Sequence, residues 1–282
     1  MLSLARLQEY LRFKAGQHHE VVPLLPFLLF FHETDASPES NYAFLEGPGG
    51  DHLQDPFKKL PTLFTQRHRI PRLQFIEEAC MQIVQVLRSS GWAEQERSSV
   101  MICTPQTYQP APHVTGLTII SLSQTSSIEE ICEGLDANAL GFDPHAQPAT
   151  PQEAEEFRRD LLLSRAFTAR LNGQPVGAGM FTDIHEGMTE LVGIATLEAF
   201  RRRGIATALT AFMTQTAFSQ GATLVFLIAA NEQAGRVCQF APPAKAGGLL
   251  HLDSTAILQP LTGQQLWLRS PMHQGTSTKC PS

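Results

Sequence analysis

Arg201-Arg202-Arg203-Gly204-Ile205-Ala206 is the stretch of sequence that decides the fold, and it fits the pattern R/Q-x-x-G-x-G/A. It lies between a predicted strand, Glu190–Thr196, and a predicted helix, Gly204–Gln220, whose apolar residues recur at helical spacing. A second match to the pattern, Gln174–Gly179, falls in a predicted hairpin strand, where the sheet would use its backbone N–H groups. Only the first match therefore opens a helix.

The three arginines of this stretch point to an anion at the start of the helix. The helix dipole disfavours each basic side chain there by a few tenths to about 1 kcal/mol. A diphosphate would offset this cost, because it accepts the unpaired N–H groups from Arg202 to Ala206 while the arginines pair with its oxygens. Gly204 and Ala206 keep large side chains out of its way. The alternative is a solvated basic turn capped by water.

Local signals predict the elements around this stretch. Ser126 or Ser127 followed by a glutamate three residues later predicts one helix, and Thr150-Pro151-Gln152-Glu153 predicts a second helix to about Ser164. Asn172-Gly173 predicts a two-residue type I′ turn. The predicted strands of this half are Leu117–Leu122, Phe167–Leu171, Gln174–Phe181, Glu190–Thr196 and Leu224–Ala229.

Composition narrows the class of protein. A hydrophobic share of 43% with 17% charged residues predicts a folded globular chain without a membrane span. The net charge of -6 disfavours nucleic-acid partners, whose binding rests on basic residues, and favours small cationic ones. Five scattered cysteines, no C-x-x-C pair and no signal peptide predict reduced thiols in a cytoplasmic protein. No histidine or cysteine grouping has metal-site spacing, so we expect no metal.

The length of 282 residues favours two domains, divided by the proline-rich stretch Thr104–His113. We expect a first domain over residues 1–105, a second over 114–262 and a loosely ordered tail over 263–282. A strand-helix-strand pattern in the first half faintly repeats one in the second, which indicates a tandem of related domains. Val21–Phe31, the most apolar run, predicts a single buried strand.

Glu190–Thr196 followed by Phe200–Ala206 resembles the acetyl-coenzyme A signature of the GNAT superfamily of N-acetyltransferases. The order β-β-β-α-β agrees with that family, and the resemblance extends from about Leu117 to Asn231. It implies an α/β (α+β) protein with the GNAT acyl-CoA N-acyltransferase fold, whose mixed, mostly antiparallel sheet is split open near Glu190–Thr196. The first half resembles, more loosely, the degenerate partner domain of tandem GNAT proteins.

The resemblance also implies a mechanism without a covalent acyl-enzyme, in which an amine attacks the thioester of bound acetyl-CoA directly. The backbone N–H of Ile194 is expected to donate to the thioester carbonyl, with Thr196 along the pantetheine arm. Glu190 is the candidate base, the alternative being a solvated carboxylate at a strand end. Arg201–Ala206 and Asn231 are expected to bind the cofactor.

One segment departs from the family pattern. Cys238 stands where many GNAT enzymes have the tyrosine that protonates the leaving thiolate, and Pro242-Pro243 interrupts the following helix. Two functions therefore stay open: an N-acetyltransferase acting on a small-molecule amine, or a catalytically impaired module that binds coenzyme A or a partner protein. A third idea, that Arg201–Arg203 contact a nucleic-acid backbone, is disfavoured by the acidic charge balance.

Overall fold

The computed structural model describes residues 4–45, 54–76, 86–87, 92–161, 165–229 and 248–253. The chain divides into two compact units. Of the described residues, the first unit takes those up to Met101 together with Ile228, Ala229 and residues 248–253, and the second takes Ile102–Leu227. None of the helices in these described ranges is both long and apolar enough to span a bilayer.

The first unit packs α-helix against a mixed sheet. Its elements are α1 (Leu4–Gly16), β1 (Glu20–Leu24), β2 (Phe27–Phe31), β3 (Asn41–Leu45), α2 (Gln54–Gln66), β4 (Arg72–Ile76) and β5 (Ala93–Cys103). β2 pairs antiparallel with β1 and with β3, and β3 pairs parallel with β4. In β2 and β3 the aromatic and aliphatic residues at alternating positions face a core of phenylalanines and leucines that α2 completes with Phe57, Leu60 and Phe64.

The run Val21–Phe31 forms a hairpin, so the prediction of a single buried strand is wrong. β1 pairs with β2 residue by residue around a turn at Leu25-Pro26. Proline cannot donate to a strand ladder, which confines Pro23 to the edge strand and Pro26 to the turn. Only β2 is largely buried, because β1 lies at the sheet edge with most of its residues exposed or half-exposed.

The second unit contains the predicted β-β-β-α-β order. The elements are β6 (Leu117–Leu122), α3 (Ile128–Phe142), α4 (Pro151–Asp160), β7 (Arg165–Leu171), β8 (Gln174–Phe181), β9 (Met188–Thr196), α5 (Ile205–Ser219) and β10 (Leu224–Ala229). The strands are ordered β10-β9-β8-β7-β6, antiparallel except for the parallel pair β9 and β10, which confirms the mixed, mostly antiparallel sheet.

Residues close together in the sequence set the starts of α3 and α4 and the turn between β7 and β8. Ser127 and Glu130 form a complete capping box at α3, and Thr150 and Glu153 form another at α4. The α4 helix ends at Asp160, and residues 162–164 of the predicted helix lie outside the described residues. The turn at Asn172-Gly173 has φ values of 50° and 86°, as a type I′ turn requires.

A strand at Gly248–Asp253, here β11, belongs to the first unit although the sequence places residues 114–262 in the second domain. It pairs antiparallel with β4 on one side and with β5 on the other. Alternating apolar residues predict that a segment is a strand, but they do not say which sheet it joins. The predicted tail, residues 263–282, lies outside the described residues.

The α3 helix lies very close to the sheet because glycines face it. A Cβ atom at Gly134 would lie 2.7 Å from Thr168 Oγ1. A Cβ atom at Gly141 would lie 2.7 Å from Ala195 Cβ and 3.2 Å from the backbone nitrogen of Thr196. This close approach places the C-terminal half of α3 directly against the end of β9.

We expect Gly141→Ala to destabilise the protein by about 1–3 kcal/mol, because the rigid Cβ of Ala195 cannot move aside and the helix must shift. Gly16→Ala is the matched control, since the nearest atom to its added Cβ would be 3.9 Å away. Urea unfolding of both variants measures the difference. Equal free energies of unfolding for the two variants would contradict the close packing of α3 on β9.

Candidate active site

The parallel strands β9 and β10 separate part-way along their length. Met188–Glu190 pair with Leu224–Phe226, and among the described residues no later position of β9 pairs with β10. The sheet is therefore open between the second half of β9 and the end of β10. Such an opening exposes backbone groups of β9 that a continuous sheet would use in its ladder.

A β-bulge bends β9 just beyond this separation. Ala178 of β8 opposes Ala195, whereas Met180 opposes Val192, so β9 holds one more residue than β8 in this interval. Gly193 within the bulge has a φ of 62°, a left-handed conformation that favours glycine. The bulge re-aims the peptide between Gly193 and Ile194, the residue whose N–H is expected to contact a thioester.

The loop after β9 leads into α5 through two left-handed residues. Arg202 and Gly204 have φ values of 61° and 79°, and Ile205 begins the helix. Left-handed residues in such a turn can direct backbone N–H groups at a bound anion. No side chain caps α5 and no acidic residue lies in its first turn, in contrast to the capping boxes of α3 and α4.

The three arginines of this loop differ in what they contact. Arg201 donates from Nε to the carbonyl of Thr196 (3.2 Å) and from Nη2 to the carbonyl of Gly141 (2.8 Å). The Arg203 guanidinium lies over the ring of Phe200, 5.2 Å from its centroid. All three arginines are exposed residues, and only Arg201 has these two backbone partners. Arg201 thus joins the end of α3 to the end of β9, a role that the sequence did not indicate.

Glu190 is buried at the point where β9 leaves β10. The residue is only 8% exposed, which excludes the alternative of a solvated carboxylate at a strand end. Its backbone N–H donates to Thr182 Oγ1 (3.2 Å), and its carbonyl accepts from the N–H of Thr182 (3.0 Å). These contacts fix the backbone of Glu190 at the closed end of the opening.

The remaining candidate residues follow along the same strand or lie outside the described residues. Ile194 is half-buried in the bulge, and Thr196 is buried at the end of β9. The structure therefore brings three candidates onto one strand, directly before the loop that starts α5. Asn231, Cys238 and Pro242-Pro243 lie outside the described residues.

The described thiols are unsuited to a covalent mechanism. Cys103 and Cys132 are free, and burial raises the pKa of Cys103 to about 11. Burial, followed by the nearby carboxylate of Asp136, raises the pKa of Cys132. A protonated thiol is a poor nucleophile at neutral pH. Within the described residues no group of three histidine, cysteine or acidic side chains is arranged to hold a metal ion.

The sequence from Glu129 to Phe240 matches the model of the acetyltransferase (GNAT) family. The matched segment runs from the start of α3 past β10, so it includes the bulge of β9 and the arginine loop. No curated protein matches the chain in sequence.

Solved structures share the fold of the chain. A GCN5-related N-acetyltransferase from Kribbella flavida is 24% identical with a TM-score of 0.73, covering 91% of this chain and 97% of its own. A GCN5-related N-acetyltransferase from Sphaerobacter thermophilus is 16% identical with a TM-score of 0.54. The match covers 78% of this chain and 75% of that protein. A tandem GNAT protein from the clavulanic acid biosynthesis pathway is 11% identical with a TM-score of 0.55. The match covers 82% of this chain and 79% of that protein.

We expect Arg201→Ala to lower the free energy of unfolding by about 1–2 kcal/mol, because two backbone carbonyls lose a charged donor. Arg203→Ala is the matched control, and its loss should stay below about 1 kcal/mol, as for an exposed cation–π contact. Chemical denaturation measures both. An Arg201→Ala protein as stable as Arg203→Ala would show that the Arg201 contacts do not hold the loop.

Proposed function

Because this chain belongs to the GNAT superfamily, we propose that it is an N-acetyltransferase, transferring the acetyl group of acetyl-CoA to an amine of a small molecule. The observation that carries the proposal is the uncapped start of α5, preceded by two left-handed residues and placed directly after the strand that leaves the sheet. Acetyl-CoA carries a diphosphate and a thioester joined by one extended arm. The diphosphate fits the start of α5, and the thioester fits the strand that leaves the sheet.

The loop residues fit the diphosphate of coenzyme A. The first N–H groups of α5 have no side-chain acceptor, and the helix dipole favours a negative group there. Gly204 adopts its left-handed φ without a side chain, so the ligand can approach the backbone of Arg202–Ala206. The exposed guanidinium groups of Arg202 and Arg203 supply charge. Arg201 contributes through its position, since its guanidinium holds the loop against α3 and β9.

In the proposed reaction the amine nitrogen attacks the thioester carbon, a C–N bond forms and the C–S bond breaks. The N–H of Ile194 donates to the carbonyl oxygen and stabilises the negative charge that develops on it. Glu190 accepts the proton that the attacking amine loses, through water because the carboxylate lies four residues away along the strand. Thr196 is proposed to run along the pantetheine arm and Asn231 to bind the cofactor, and coenzyme A leaves as the thiolate.

The acceptor is proposed to be a small cationic amine. The formal charge of -6 favours such a partner electrostatically and disfavours nucleic acid and anionic membrane surfaces. We place the protein in the cytoplasm, which suits the free thiols Cys103 and Cys132. The first unit is proposed to be a degenerate GNAT-like partner domain, in line with the fold shared with a tandem GNAT protein.

A second candidate function rests on Cys238 and Pro242-Pro243. If no group replaces the tyrosine that protonates the leaving thiolate, the chain would bind coenzyme A without turnover. It would then serve as a binding module for coenzyme A or for a partner protein.

We expect Gly204→Asp to weaken coenzyme A binding at least tenfold more than Gly204→Asn does. Both side chains tolerate a left-handed φ and meet Val114 Cγ2 equally, so they differ only in the charge placed at the diphosphate. Calorimetric titration measures the two dissociation constants. Pantetheine, which lacks the diphosphate, is the control ligand and should not distinguish the variants. Equal affinity of both variants for coenzyme A would contradict the site.

We expect Glu190→Gln to lower kcat about a hundredfold or more, because the base is lost. Glu198→Gln, the same charge change at an exposed position nearby, should keep full activity. Release of the coenzyme A thiol with a panel of primary amines measures the rate. Full activity of Glu190→Gln would contradict the role of Glu190 as the base. If the wild type binds the cofactor without any thiol release, the result favours the second candidate, a binding module.

A further inference from the structure

A buried asparagine on α3 contacts the bulge of β9. Asn138 is 1% exposed and lies on the helix face that Gly134 and Gly141 bring close to the sheet. Its side-chain Nδ2 donates a hydrogen bond to the backbone carbonyl of Gly193, with a distance of 2.5 Å between the two atoms. A buried amide that donates a hydrogen bond to a backbone carbonyl restrains the orientation of that peptide.

This carbonyl belongs to the peptide that carries the N–H of Ile194. The peptide between Gly193 and Ile194 is trans, so its C=O and N–H groups point in opposite directions. A donor on the carbonyl from α3 therefore directs the N–H of Ile194 away from α3. The same hydrogen bond polarises the peptide and makes its N–H a stronger donor.

The bulge is a place where such a restraint acts on the backbone. The paired part of β10 ends opposite Glu190, and the register with β8 shifts across Gly193, so the regular ladders on both sides of β9 are interrupted there. Glycine has wide freedom in φ and ψ, so Gly193 permits rotation of this peptide. Asn138 restricts that rotation from outside the sheet.

We propose that Asn138 is a positioning residue for the reaction, holding the N–H of Ile194 in the direction in which it donates to the thioester carbonyl. This inference rests on the proposed acetyl transfer. It assigns to α3 a function beyond packing: the helix comes close enough, through its glycines, for a short side chain to reach the oxyanion-binding peptide.

The test follows the thioester carbonyl itself. Infrared difference spectra of bound, isotope-labelled acetyl-CoA report a hydrogen bond to its carbonyl as a lowered stretching frequency. Asn138→Leu keeps the volume and removes the donor without adding a charge, and Asn138→Asp keeps the shape and removes the donor when its carboxyl is ionised. Thr214→Val is the control, because it removes a buried hydrogen bond, from Thr214 Oγ1 to the carbonyl of Thr210, at 2.8 Å, within α5.

In the wild type and in Thr214→Val we expect a lowered carbonyl frequency and tighter binding of acetyl-CoA than of coenzyme A. In each Asn138 variant that folds, the frequency should return toward its value in solution, and the preference for acetyl-CoA should fall severalfold while affinity for coenzyme A stays within about twofold. Asn138→Leu keeps the test valid if the buried charge of Asn138→Asp prevents folding.

Three other outcomes overturn the inference. If the Asn138 variants lose thermal stability but keep the wild-type carbonyl frequency, the hydrogen bond is structural only and the proposed function is unaffected. If the wild type binds acetyl-CoA without a lowered frequency, both the inference and the role of Ile194 fail. If the wild type binds neither acetyl-CoA nor coenzyme A, the proposed function itself fails.

Discussion

The separation of β9 from β10 after Glu190 is the constraint on which the site depends. A strand that leaves its neighbour must be held by something else, and here α3 holds it from one face of the sheet. Gly134 and Gly141 allow the helix to approach, and Asn138 bonds to the bulge. Arg201 then ties the end of the strand to the end of the helix. These contacts to α3 support the part of β9 that, within the described residues, has no partner in β10.

The start of α5 lacks the local interactions that usually stabilise the first turn of a helix. A left-handed φ at Arg202 costs about 1–2 kcal/mol, and basic side chains near the positive end of a helix add to that cost. The helix has no side-chain cap, although α3 and α4 each have a complete capping box. Unfavourable conformations of this kind cluster at binding sites, where a ligand supplies the missing partners.

Features set by neighbouring residues could be predicted from the sequence, and features set by distant ones could not. The capping boxes and the Asn172-Gly173 turn are local, and they form as predicted. The partner of β11 and the contact between Asn138 and Gly193 depend on residues far apart in the chain, and no local pattern signals them. The bulge did have a signal, since an isolated glycine within a strand pattern, here Gly193, indicates one.

Amide hydrogen exchange with and without ligand tests the central claim most directly, because it reports on the backbone N–H groups themselves. Coenzyme A should slow exchange across Arg202–Ala206, whereas pantetheine should leave that segment unchanged. Acetyl-CoA should in addition slow exchange at Ile194. Unchanged exchange across Arg202–Ala206 at saturating coenzyme A would contradict the account, since the N–H groups at the start of α5 would then have no role in binding a diphosphate.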